Sequence, residues 1–356
     1  MKTKVKVLLI VLIVSVLSQC KKDNVPAVTI TDNNFLNALM EQGVDKNGDG
    51  IISTDEAALI HFLNVNDRNI SELKGIEAFI ILDTLYCSLN KLTSLDISKN
   101  TSLTGLGCGS NQLTTLNVSK NTALTFLHCG GNQLISLDVS KNTSLTYLGC
   151  GPNQLTSLDL SNNTALTFLE CSGNQLTSLD VSNNTALNFL YCFGNQLTTL
   201  DVYKNTALIE LGCSGYQLTS LDVSNNAALT YLYCGDSKLT SVDVSNNSAL
   251  TFLYCGDSKL TSLDVSKNTA LTGLYCHTNL LTSLDVTNNT ALTVLSCGTN
   301  QLTSLYLSNN SSLGYLNIAP MPSLSKVCVW TMPFPPASVN VDTTGSPNVY
   351  FTMTCN

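Results

Sequence analysis

Residues 166–186 read LTFLECSGNQLTSLDVSNNTA, and close variants of this 21-residue phrase fill most of the chain. Eleven cysteines, from Cys87 to Cys297, stand 21 residues apart without exception. A fixed period of this size is the signature of a solenoid. Written as a pattern, the unit is LxxLxCxxNxLxxLDVxxNxx, in which two similar halves are nested. Each half offers a short strand, Leu169 to Cys171 and then Leu179 to Val181, followed by an Asn turn. Period-two alternation points Leu169, Cys171, Leu179 and Val181 inward, and Phe168, Glu170, Ser178, Asp180 and Ser182 outward. One coil has too few apolar side chains to offset the ordering of its own backbone, so coils are stable only when stacked. The expected fold is a mainly β repeat solenoid.

The pattern resembles the leucine-rich repeat family, in particular its short bacterial class of 21-residue nested (IRREKO-type) repeats. Cys takes the place of the third apolar residue of the usual LxxLxL strand. The resemblance runs from Ile70 to Ile318, and Ile70–Phe79 (ISELKGIEAF) looks like the capping repeat of internalin-like surface proteins. It implies recognition of a protein or other macromolecule, without catalysis, and leaves the ligand unnamed.

Ahead of the repeats, residues 45–56 read DKNGDGIISTDE. Asp45, Asn47 and Asp49 occupy positions 1, 3 and 5 of a twelve-residue EF-hand-like loop. Gly50 permits the sharp turn, Ile51 offers a carbonyl, Ser53 sits at position 9 and Glu56 at position 12. The competing reading is an ion-free Asp/Asn/Gly turn. Phe35, Leu36, Ala38, Leu39 and Met40 have helical spacing with Asp32 or Asn33 as cap, and Ala57 to Leu63 suggests a second helical face. Sensor loops of this kind work in pairs and only one is present, so a single structural calcium ion is expected.

The first residues, MKTKVKVLLIVLIVSVLSQC, place three lysines before an apolar run from Val7 to Leu17. That run is too short to span a bilayer but suits a signal peptide. Leu17-Ser18-Gln19-Cys20 resembles the lipobox of bacterial lipoproteins, with Cys20 lipidated; a plain secretory signal is the alternative. Lys21-Lys22-Asp23 resembles tags that send such lipoproteins to the outer face of the outer membrane. The expected organisation is a signal peptide (1–19), tether (20–30), helical calcium-binding cap (31–69), leucine-rich repeat solenoid (70–318) and short β C-terminal cap (319–356). Cys328 and Cys355 fall outside the period, and in an exported chain they suit a disulfide.

Stacking turns sequence positions into columns. Equivalent Cβ atoms in neighbouring coils lie about 4.8 Å apart, too far for a disulfide, so the eleven thiols read as small buried hydrophobes. An Asn recurs at every second turn from Asn100 to Asn310. Asp recurs from Asp138 to Asp285, which reads as a solvated structural column rather than a cation ridge. One outward column is aromatic, with Phe126, Tyr147, Phe168, Phe189, Tyr231 and Phe252; the next carries Tyr191, Tyr233, Tyr254 and Tyr275. Aromatic stacking stabilises a sheet by itself, yet tyrosine-rich strips are also typical of binding hot spots. Tyr216, Ser237 and Ser258 break the first-turn Asn in the same region. A ligand site, if there is one, is expected over coils 191–276, on Tyr191, Tyr231, Tyr233, Phe252, Tyr254 and Tyr275.

Composition narrows the function. Across 356 residues the formal charge is −8 and the pI about 4.8, and charged residues form only 12% of the chain, against about 25% in ordinary soluble domains. An acidic surface repels phosphate backbones, so nucleic-acid binding is not expected. The three histidines, His61, His128 and His277, stand near no catalytic motif, so no enzyme is expected. The reading is a monomeric, lipid-anchored surface protein binding a protein ligand. A glycan-binding lipoprotein and a passive envelope component are the alternatives.

Overall fold

The computed structural model describes residues 25–355, so the signal segment, Cys20 and the first part of the tether lie outside it. The described chain opens by pairing with its own loop. Ala27 bridges Ser53 in antiparallel fashion, with Val28 N donating to Ile52 O (2.8 Å) and Thr54 N to Pro26 O (2.9 Å). Helix α1 (Asn33–Glu41) follows, and it buries Phe35, Ala38 and Leu39. One carboxylate oxygen of Asp32 caps the helix by accepting from Asn34 N and Phe35 N at 2.8 and 3.0 Å. The other accepts from the amide and hydroxyl of Ser71 at 2.7 and 2.6 Å, joining the cap to the repeats.

The second expected helix is cut short. Helix α2 spans only Thr54–Ala57, Leu59 is 64% exposed, and Phe62–Asn64 is already a strand. The run from Phe62 to Val65 alternates out, in, out, in, and its strand pairs in parallel with Thr84–Tyr86, with Leu63 opposite Leu85. Continuing the helix would forfeit that ladder. The free edge of this first strand is covered by Gln42, whose amide donates to Asn64 O (2.9 Å) and accepts from Asn64 N (3.2 Å). The sheet therefore begins at Phe62, ahead of Ile70.

From there one parallel sheet of fourteen three-residue strands runs to Asn340–Asp342. The strands stack in register, for example Leu169 opposite Leu190, and the central leucines are fully buried. The second halves of the coils differ from expectation, because most form no strand. At the first turn Leu176 N donates to Asn195 Oδ1 (3.0 Å) of the next coil, so a side-chain amide takes an N–H that a ladder would use. Thr199–Asp201 and Ser220–Asp222, on either side of Tyr216, do pair as strands, whereas Ser237 and Ser258 replace the same Asn with no strand after them.

The second-turn asparagines are fully buried from Asn100 to Asn310. Asn184 is representative: its Nδ2 donates to Leu160 O (3.2 Å) and Asn163 O (2.8 Å) of the preceding coil. The Oδ1 atoms of this column meet no donor among the described residues, so the amide hydrogens do the bonding. The far end closes with a three-stranded sheet, Ser304–Tyr306, Lys326–Cys328 and Tyr350–Thr352. Trp330, Phe334 and Phe351 pack their rings there, and a Cys328–Cys355 disulfide (Cα–Cα 5.5 Å) ties down the last strand.

Two outcomes follow. Asn184→Ala leaves buried carbonyls unpaired and lowers stability by about 1–3 kcal/mol in urea denaturation, whereas Asn183→Ala, on the exposed neighbour, stays within about 0.5 kcal/mol. Burial pushes the Asp32 carboxyl up, but its hydrogen bonds from Ser71, Phe35 and Asn34 outweigh this and hold its pKa below the ordinary value. A depressed folded-state pKa means stability that is present above the ordinary carboxylate range and lost as pH falls through the folded value. Asp32→Asn therefore lowers the thermal midpoint at neutral pH, and circular dichroism melts show the gap to wild type narrowing below about pH 4.

Candidate functional site

The outward face of the large sheet gathers the six ring residues expected at a site. Tyr231 stacks on Phe252 with centroids 4.4 Å apart and planes within 6°, and Tyr233 stacks on Tyr254 at 4.0 Å and 7°. Tyr275 leans against both Phe252 (5.3 Å) and Tyr254 (5.9 Å). Tyr191 joins through Phe193, which meets Tyr233 edge-on at 5.3 Å. In-register strands force this contact, since the side chains of one column have only one another as neighbours. The rings are consequently half-buried by each other and not fully exposed.

Glycines make room for the paving. A Cβ on Gly212 would run into the ring of Phe193, and one on Gly235 into Tyr254. The edge of each of these two rings thus comes up against the backbone of a neighbouring coil.

Carboxylates are set among the rings. The Tyr191 hydroxyl donates to Glu210, Tyr233 to Asp236 (3.1 Å) and Tyr254 to Asp257 (3.1 Å). Burial first, and then the hydrogen bond to Glu210, pushes the Tyr191 phenol well above its ordinary range; burial does the same for Tyr254 and raises Tyr233. These phenols are therefore neutral donors at any physiological pH. Phe193, Glu210, Asp236, Asp257 and His277 were not singled out by the sequence reading. Their signal is a departure from the column: an acid or a second ring where neighbouring coils carry an aromatic or a glycine.

His277 connects Asp257 (Nε2 to Oδ2, 3.2 Å) with Ser296 (Nδ1 to Oγ, 3.2 Å). The order acid, imidazole, hydroxyl is that of a hydrolytic triad. Ser296 is only 5% exposed, and the Tyr254 ring lies edge-on to the imidazole at 5.5 Å. A nucleophile so covered has no room for an attacked carbonyl, so the chain of bonds reads as packing on the face.

The other columns are structural. Each Asp of the outer turn folds back on the chain, as Asp180 Oδ1 accepts from Ser182 N at 2.9 Å; that bond holds the Asp180 carboxyl below the ordinary range. The eleven thiols are at most 3% exposed, and burial raises their pKa, to about 12 for Cys87, Cys192, Cys234 and Cys297.

The expected calcium ligands lie apart, on the N-terminal cap. Asp45 accepts from Gly48 N (2.7 Å) and Gly50 N (2.9 Å), Asn47 from Asp49 N (2.8 Å) and Asp49 from Ile51 N (3.0 Å). Gly48 and Gly50 adopt positive φ of 73° and 80°, which wraps the loop around Asp45. Glu56 is buried and accepts from Lys46 N (2.8 Å), closing position 12 against the start of the loop. Among the described residues no three His, Cys, Asp or Glu side chains gather as a metal cluster. An ion here would also need the Asn47 amide, the Ile51 carbonyl and Ser53. That all-oxygen set from one loop fits a hard cation such as calcium.

Comparison with known proteins places the fold. The functional domain of InlJ from Listeria monocytogenes, whose structure is described as including a cysteine ladder, is 34% identical, with 86% of this chain and 78% of that one aligned at a TM-score of 0.72. The chain belongs to the internalin-like leucine-rich repeat family. An internalin, InlF of Listeria monocytogenes, shares the fold at 22% identity and a TM-score of 0.72, covering 87% of this chain and 94% of its own. A leucine-rich repeat protein of Leptospira interrogans does so at 24% and 0.67, covering 76% and 74%. A model of the LVIVD repeat matches residues 230–257, a segment that holds the strands Tyr231–Tyr233 and Phe252–Tyr254. No curated protein sequence matches the chain.

For this internalin-like array the burial of the ladder has a direct outcome. A thiol-reactive chromophore labels none of the eleven repeat cysteines in the native protein and all of them in denaturant, because only the thiolate reacts. Labelling of the native ladder would contradict the packing.

Proposed function

We propose that the protein is a non-catalytic recognition protein that binds a protein ligand on the ring-paved sheet face, over coils 191–276. The observation that carries this reading is the combination of stacked rings with carboxylates fixed by tyrosine hydroxyls, because stacking alone has no use for the acids. Membership of the internalin-like family supports a recognition role. The Cys20 lipobox and Lys21-Lys22-Asp23 after it support a protein held by lipid at the outer membrane and displayed at the cell surface.

Glycan binding is the second reading, favoured by the flat hydroxyl-bearing rings, which suit sugar faces. A screen of the purified protein against cell-surface proteins and glycans separates the two. A variant with Tyr233, Tyr254 and Tyr275 changed to Ser is run beside it. Binding to a protein that is lost in the variant supports the proposal. Binding only to glycans shifts the ligand class, and binding unchanged by the substitutions removes the site from this face.

The loop from Asp45 to Glu56 is proposed to hold one structural calcium ion, on the support of its spacing and its oxygen donors. At about 1 mM calcium, typical for extracellular modules, the thermal midpoint rises above that in chelator, and Asp45→Ala with Asp49→Ala abolishes the difference. An equal midpoint with and without calcium would sink this assignment.

A further inference from the structure

The charge of the ring-paved face differs in kind from that of the rest of the molecule. Its outward positions carry the carboxylates of Asp83, Glu170, Glu210, Asp236 and Asp257, while no lysine or arginine occupies an outward position on this face between Asp83 and Asn317. The lysines of the repeats stand at the turns instead, as Lys238 does, bonded to Gln217 Oε1 at 2.7 Å. Among the described residues Glu210 and Asp236 have no cationic partner, and Asp257 has only His277. Tyrosine hydroxyls orient these carboxylates without neutralising them.

Glu210 is the most telling member. It lies in the aromatic column between Phe189 and Tyr231, its neighbours across the two adjoining strands. Were the column there only to stack, a carboxylate would be its poorest occupant, since it breaks the stack and adds charge beside ring faces that are themselves electron-rich. Ring faces and carboxylates attract the same thing: a cation with an extended or planar head. An acidic polymer is repelled by this surface, and a neutral sugar can offer hydroxyls to the acids but leaves their charge uncompensated, which a cation does not.

We infer that the occupant of this face is a cationic segment of a protein partner, which lays arginine or lysine side chains across the rings and onto Glu210, Asp236 and Asp257. The inference rests on the recognition role proposed above and names the chemistry of its ligand. A guanidinium suits the arrangement best, because it can stack on a tyrosine face while its edge bonds a carboxylate.

The test measures binding of a short oligoarginine peptide to the full-length, detergent-solubilised protein at low and physiological salt, with an oligoglutamine peptide as control. Three variants are compared: Glu210→Gln alone; Glu210→Gln, Asp236→Asn and Asp257→Asn together; and a set with the same charge change on the outer turns, Asp159→Asn, Asp180→Asn and Asp264→Asn. The face triple weakens oligoarginine binding at least about tenfold, the outer-turn triple less than about twofold, and oligoglutamine does not bind. Glu210→Gln keeps an acceptor for Tyr191, so it retains the fold and isolates the charge. Equal losses in the two triples would mean only general attraction to an acidic protein and would overturn the inference, as would no binding at low salt. If the screen yields a ligand that the tyrosine variant loses and the face triple keeps, the recognition role stands and the cationic partner falls.

Discussion

A buried asparagine at each second turn lends its amide hydrogens to the carbonyls of the coil before it, and the solenoid is arranged around that bond. A turn that closes a coil leaves carbonyls facing inward, where no strand can reach them and water is excluded. The Nδ2 atoms of Asn184 and its ten equivalents satisfy them with two bonds each to the preceding coil, one of which goes, in all but Asn100, to the previous asparagine's own carbonyl. This fixes both the rise and the register from coil to coil. The 21-residue period follows, because an insertion or deletion between asparagines would strand a buried carbonyl.

Register has consequences on both faces of the sheet. Inward, it brings identical leucines and free thiols into line as buried packing groups. Outward, it makes each column its own environment, so that a ring is read against the rings above and below it. Packing and the proposed recognition therefore draw on the same surface. The stacks of Phe126 on Tyr147 and Tyr147 on Phe168 (4.5 and 4.4 Å) are satisfied by packing alone. Past Phe189, Glu210 and Gly212 interrupt the pattern of rings, and the proposed site begins there.

Much of this was legible in the sequence, because the repeat states its period eleven times and the alternation assigns faces. The misreadings occur where a short apolar run fits two periods. Ala57 to Leu63 is compatible with a helix, and only the offer of a ladder from Thr84–Tyr86 decides for a strand. Leu179 to Val181 alternates like a strand, yet the structure forms no ladder there and holds the coil at the adjoining turn by the bond from Leu176 N to the Asn195 amide oxygen. At the candidate site, the rings were visible as a column. Glu210, Asp236 and His277 were not, because each is an exception to the consensus and acquires meaning only when neighbouring coils are laid side by side.

The pairing of residues 26–28 with the loop at 52–54 gives the fold a defined point of mechanical attachment. Tension applied to the N-terminal segment reaches the molecule through the two backbone bonds between Pro26–Val28 and Ile52–Thr54, beside the loop that begins at Asp45. Load passes from there to α1 through Asp32 and into the first coil through Ser71. The sheet is pulled from its capped end, and its stacked coils lie in series behind that small junction.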